Sequence, residues 1–217
     1  MRAGVLGLAA VLAACGGGSS VPAPPASHNA AATPRLRGTL LVRADSTMIF
    51  VACGTTTERA VGAPPSSQLA LAIAAVNGAV RDSLFVEFTA DTTRNAVAVR
   101  ETLFATAFSE GSRCDQPPRG FDVEAIGVEP FWHVTLDSAQ LVLERPEPPR
   151  ELVFDARPPE TRGALTTIMA HRALGRVHDL KLGLLHEPCS DGMSGAWYPY
   201  RAEVRVGDLA LHGCARR

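Results

Sequence analysis

Tyr200-Arg201-Ala202-Glu203-Val204-Arg205-Val206, then Gly207-Asp208, then Leu209-Ala210-Leu211-His212, is the stretch that decides the fold. It reads as two β-strands joined by a two-residue turn, because Gly and Asp accept the positive φ angles that a tight hairpin demands. The same pattern continues upstream. Val177-His178-Asp179-Leu180-Lys181-Leu182-Gly183-Leu184 puts Leu180, Leu182 and Leu184 on one face of a strand. Phe121-Asp122-Val123-Glu124-Ala125 and Trp132-His133-Val134-Thr135-Leu136 alternate in the same way. Between them Pro146, Pro148, Pro149, Pro158 and Pro159 mark loops. Residues 120–217 are thus expected to form a compact antiparallel β domain.

The first half is also strand-rich. Gly38-Thr39-Leu40-Leu41-Val42-Arg43 and Thr47-Met48-Ile49-Phe50-Val51-Ala52 flank a turn at Ala44-Asp45-Ser46. Leu84-Phe85-Val86-Glu87-Phe88-Thr89 and Ala96-Val97-Ala98-Val99-Arg100 follow. The run from Ser67 to Val76 favours helix, with Asn77-Gly78 as its stop. Strands interrupted by one helix predict a small OB-like barrel over residues 36–117. The fold class expected is mainly β: this barrel, then the second β domain.

Composition narrows the function classes. The chain has 217 residues, 46% hydrophobic and 20% charged, as a globular protein does. A net charge of −1 without a basic run argues against a nucleic-acid partner. No apolar stretch reaches the length of a transmembrane helix.

Residues 1–14 read as an export signal: Arg2 starts it, and Val5 to Leu12 form a short apolar core. Leu12-Ala13-Ala14-Cys15 resembles the lipobox of bacterial lipoproteins. That resemblance implies cleavage before Cys15, a diacylglyceryl group on its thiol and an acylated new N-terminus, with palmitate-type chains. Two or three such chains hold a protein stably on a membrane. Removing Arg2 leaves 20 basic and 22 acidic residues. Gly16, in place of the Asp that marks inner-membrane retention, leans toward the outer membrane, facing the periplasm. Residues 15–35 then comprise the lipidated cysteine and a Gly/Ser/Pro/Ala tether with too little apolar surface to fold.

Cys53, Cys114, Cys189 and Cys214 remain. In an exported protein, four thiols read as two disulfides, with three pairings open. The break at Gln116-Pro117-Pro118-Arg119-Gly120 favours Cys53 with Cys114 and Cys189 with Cys214. Closing the second loop contributes roughly 3 kcal/mol on loop-entropy grounds. No CxxC and no zinc-ligand spacing occurs, so neither metal nor other cofactor is expected.

Two further resemblances bear on function. Gly38, Phe50 and Cys53-Gly54 leading into Arg59-Ala60-Val61 look like the small barrel of copper-homeostasis and envelope-stress lipoproteins. The CxxC of that group is absent here, and no copper role is carried over. Gly127-Val128-Glu129-Pro130-Phe131-Trp132, Cys189-Ser190-Asp191-Gly192-Met193-Ser194, Tyr198-Pro199 and Leu211-His212-Gly213-Cys214-Ala215 occur in one order. This is similar to a family of uncharacterised bacterial envelope lipoproteins with E-P-F-W, C-x-D-G-M-S, Y-P and terminal G-C segments. The family often has Asp after M-S, where this chain has Gly195. The resemblance implies a location and a fold, without a reaction.

Glu129, Trp132, Asp191, Trp197 and Tyr198 are the candidate binding residues; for the aromatics, anchoring a β core is the commoner role, with a recognition surface at Trp197 and Tyr198 as the alternative. Asp191 and Ser194, with His186 or His212 as base, outline a hydrolase, but the spacing is not that of a nucleophile elbow. The expectation is a non-enzymatic, lipid-anchored binding module for an envelope protein, cell-wall fragment or small ligand. An enzyme inhibitor or envelope-stress sensor is the alternative.

Overall fold

A computed structural model describes residues 33–76, 83–107, 114, 120–172 and 179–217. The expected export signal, Cys15, the expected tether up to residue 32, His28, the expected helix stop at Asn77-Gly78, residues 116–119 of the central break, and His178 lie outside the described residues. Residues from Thr33 to Arg217 form one compact unit. Among the described residues, no helix is long and apolar enough to cross a membrane.

The strands in chain order begin with β1 (Arg35–Val42), β2 (Met48–Ala52) and β3 (Glu58–Gly62). A single turn of 3-10 helix at Pro65–Ser67 then leads into α1 (Leu69–Val76). β4 (Ser83–Thr92) and β5 (Ala96–Ala107) complete a ring in the order β1-β2-β3-β5-β4-β1. This is the five-stranded closed order of the OB-like barrel. Its β3–β5 pair is parallel, and the chain between β3 and β4 carries α1. Closure requires strands that curl, and β4 does so through register shifts at Glu87/Phe88 and Thr89/Ala90. Leu69, Ala72 and Val76 form the buried stripe of α1 and join a core with Leu40, Phe50 and Phe88. The rings of Phe50 and Phe88 lie 4.8 Å apart.

The second sheet contains β6 (Val123–Val128), β7 (Phe131–Asp137), β8 (Gln140–Glu144) and β9 (Glu151–Ala156). β10 (Glu160–Arg162), β11 (Leu165–His171) and β12 (Leu180–Leu185) follow. β15 (Tyr200–Val206) and β16 (Leu209–Arg216) end the chain. Eight of these strands close an antiparallel up-and-down barrel, β6 through β9, then β11, β12, β15 and β16, and back to β6; β10 is a side addition on β11. Gly207, at φ +58, makes the β15–β16 turn, as the opening stretch predicts. Alternation fills the interior: Leu180, Leu182 and Leu184 point in with Trp132, Leu141 and Phe154. The mainly β, two-part architecture expected from sequence is what the molecule has. Pro146, Pro148 and Pro149 lie in the loop between β8 and β9, and Pro158 and Pro159 in that between β9 and β10, as the sequence indicates.

One connection leaves the second barrel and joins the first. Between β12 and β15 the chain forms β13 (Cys189–Ser190) and β14 (Trp197–Tyr198). β14 pairs with β5 through Trp197 and Ala105, so this hairpin extends the first sheet. Both disulfides join the expected partners: Cys53 with Cys114 (Cα–Cα 5.1 Å) and Cys189 with Cys214 (5.5 Å). All four cysteines lie in a small core with Phe85, Phe104, Tyr198 and Ile126, between the two sheets. The C-terminal half of β5 is buried on both faces for that reason, one face looking into its own barrel and the other into this seam.

Candidate functional site

The E-P-F-W segment is built around one large ring. Trp132 points into the second barrel and is wholly buried. Its indole N–H donates to the carbonyl of His212 (3.3 Å). A Cβ on Gly127 would stand 2.0 Å from Trp132 Nε1, and one on Gly213 would stand 2.0 Å from the carbonyl oxygen of Ile126 and 2.8 Å from the ring. Both positions therefore demand glycine, because the ring and the backbone occupy the space of any side chain. Glu129-Pro130, with a cis peptide bond, forms the turn that brings β7 back along β6.

The C-x-D-G-M-S segment is the turn of the β13–β14 hairpin. Asp191 Oδ1 accepts the backbone N–H groups of Met193 (2.8 Å) and Ser194 (2.9 Å). Asp191 Oδ2 accepts the Ser194 hydroxyl, and Ser194 Oγ in turn accepts the N–H of Ala196 (3.2 Å). These bonds make an Asx turn, which satisfies backbone donors at a buried corner. Gly195 has φ +63, a left-handed conformation that Gly adopts freely and Asp tolerates better than most residues. The residues that outlined a hydrolase thus spend their polar atoms on holding a turn.

These segments, far apart in sequence, wall one cleft of about 730 Å³ on the outer face of the second barrel. Its floor is the outward side of β6, β11, β12, β15 and β16. Register explains the convergence: Leu165 pairs with Leu185, Gly183 with Glu203, Glu203 with His212, and Cys214 with Ile126. One wall is Pro188, Cys189, Ser190, Asp191 and Gly192 from the hairpin, and Glu129 stands on the rim. The floor is partly apolar, with Leu165 and Leu185 42% and 38% exposed. Met193, 78% exposed, follows Gly192 beside it. Gly183 leaves a dip, since a Cβ there would meet nothing closer than 3.8 Å. Lining carboxylates are Glu129, Asp191 and Glu203, and the lining cation Arg201 lies 3.5 Å from Glu187.

A second charged feature crosses the seam. Arg216 reaches Glu87 of the first barrel (2.9 Å) and Glu124 of the second (2.6 Å), with its guanidinium 4.6 Å above the Phe104 ring. Arg35 also bonds Glu87 (3.0 Å). His133 bridges Glu124 (3.1 Å) and Glu144 (3.0 Å). Burial raises the Glu124 carboxyl, but the His133 hydrogen bond and the Arg216 charge outweigh it and hold the pKa at about 2. The hydrogen bond to Glu124 lifts His133 above its ordinary value, against the opposing effect of burial.

Of the sequence-selected residues, Glu129 and Asp191 meet at the cleft. Trp132, Trp197 and Tyr198 do not line it. Trp132 fills the second barrel, Trp197 completes the first-barrel core, and Tyr198 packs its ring 5.2 Å from Phe104 in the seam. Their burial assigns them the anchoring role. Among the described histidines, His171 pairs with Asp179 (2.8 Å) and His186 lies against the Tyr200 ring. Among the described residues, no group of three or more His, Cys, Asp or Glu could hold a metal ion. Leu165, Gly183, Leu185, Arg201 and Glu203 were not singled out as site residues from sequence, whereas His212, named there as a possible base, does line the cleft. The adjacent pair Leu184-Leu185 carries the one available signal, an apolar residue on each face of a strand.

Fold and site together define a two-barrel β protein with a lateral cleft. No family model, curated protein or solved structure matches the chain.

Proposed function

We propose that the protein is a lipid-anchored envelope binding module that holds a ligand in this cleft without transforming it. The anchor is Cys15 within Leu12-Ala13-Ala14-Cys15, and the residues before Thr33 tether the barrels to the outer membrane on its periplasmic side. The single observation that carries the reading is convergence: Glu129, Cys189 to Gly192 and His212 to Cys214, from three separated segments, border one cavity. At about 730 Å³ it lies within the range of small-ligand sites. Asp191 and Ser194 are engaged in the turn, which favours binding over hydrolysis.

Native mass spectrometry of the exported full-length protein tests this. The expected result is a co-purifying species that is lost in Gly183→Leu, which fills the floor where a Cβ has room. A species retained in Gly183→Leu, or none at all, sinks the cleft as the site. The anchor is tested separately: radiolabelled palmitate should enter the wild-type chain and not Cys15→Ser.

A further inference from the structure

We infer that the ligand of this cleft is an extended peptide segment with alternating apolar and basic side chains, held by strand addition to β13. The inference rests on the binding reading above and names the class of ligand. β13 is the edge strand of the first sheet. In its ladder with β14, Asp191 N–H donates to Ala196 (3.0 Å), and Cys189 stands opposite Tyr198. Antiparallel pairs alternate between bonded and non-bonded, so the intervening Ser190 turns its backbone N–H and C=O away from β14. On β14, Trp197 opposite Ser190 pairs outward with Ala105 in the same alternation. Ser190 lines the cleft and is exposed, so its two backbone groups are offered at the cleft wall.

An edge with a free donor and acceptor, beside pockets for alternate side chains, is the geometry of strand addition. The floor tells which side chains fit. Leu165, Leu185 and the dip over Gly183 take apolar groups. Glu129 favours Lys or Arg, while Glu203 is already held by Arg205 as Arg201 is by Glu187. A strand alternates its side chains between two faces, so apolar residues turned to the floor leave the intervening basic ones to the rim, where Glu129 stands.

The test is calorimetric titration of the exported full-length protein with acetyl-Leu-Lys-Leu-Lys-Leu-amide. Its controls are the Leu-Glu counterpart and a backbone N-methylated Leu-Lys peptide. The Leu-Lys peptide should bind at least about tenfold tighter than either control, since one or two net hydrogen bonds correspond to that factor. Ser190→Pro removes the edge N–H at a position where edge strands tolerate proline, and should weaken binding by a similar factor, about tenfold. Its circular dichroism should be unchanged. Equal binding by the N-methylated peptide, or by Ser190→Pro, overturns strand addition. If the peptide fails to bind while a co-purifying species is lost in Gly183→Leu, the cleft reading stands and the peptide inference falls. If no species depends on Gly183 either, both fall.

Discussion

Trp132 shows how much a single side chain demands of its neighbours. Its ring fits because residues 127 and 213 lack a Cβ, and its N–H is satisfied by a backbone carbonyl. Gly127→Ala and Gly213→Ala should each destabilise the protein by about 1–3 kcal/mol, as overpacked cores do, read as a lower urea midpoint with unchanged slope. Glu124 and His133 set the pH behaviour. The depressed Glu124 carboxyl contributes stability above its ordinary value of 4.5, and this is lost as pH falls toward about 2. The raised His133 contributes fully below its ordinary 6.5, and this is lost as pH rises through the raised value. Thermal unfolding should therefore give its highest midpoint between these two limbs. Glu124→Gln should flatten both, because it removes the acid-limb group and the main partner of His133. A profile unchanged in that variant would refute the assignment.

At the scale of elements, the β13–β14 hairpin matters most. It is two short strands and an Asx turn, yet it supplies Trp197 to one core, Tyr198 to the seam and Cys189 to a disulfide. Trp197→Ala should cost about 3–5 kcal/mol, the range for deleting a buried aromatic. Replacing Cys189 and Cys214 by Ser should cost about 3 kcal/mol. The regular strands were legible where hydrophobic alternation ran free of prolines, as in β1, β2, β12, β15 and β16. β8 and β9 alternate as well, with Leu141, Leu143, Leu152 and Phe154 buried. Their short runs flank the cluster of Pro146, Pro148 and Pro149, whose punctuation masked the period. The cleft floor was illegible for a different reason. Arg201, Glu203 and His212 alternate with the inward residues of their strands, and only barrel closure and register place them in one surface.

For the whole molecule, the two barrels share one seam rather than a linker. Arg216 pairs across it, β5 is buried on both sides of it, and the four cysteines lie in it. Arg216→Ala leaves Glu87 and Glu124 each with one fewer charged partner, and a loss of about 3 kcal/mol is expected. Chemical denaturation should show one transition by both tryptophan fluorescence and far-UV circular dichroism, because the first barrel's core includes Trp197 and the seam core draws on both barrels. Separate transitions for the two probes would mean that the seam is weak.

The route taken by Trp197 also bears on how the chain is made. A polypeptide emerges from the ribosome with its N-terminal end first. The ring strands of the first barrel emerge early, ending at Ala107, but the tryptophan that completes their core lies 90 residues further on. A nascent chain paused before residue 197 thus has a barrel with an empty place at its centre. Such a barrel folds late, only once nearly all of the chain has been made. A chain truncated at residue 188 should accordingly remain sensitive to protease, and the complete chain should resist it.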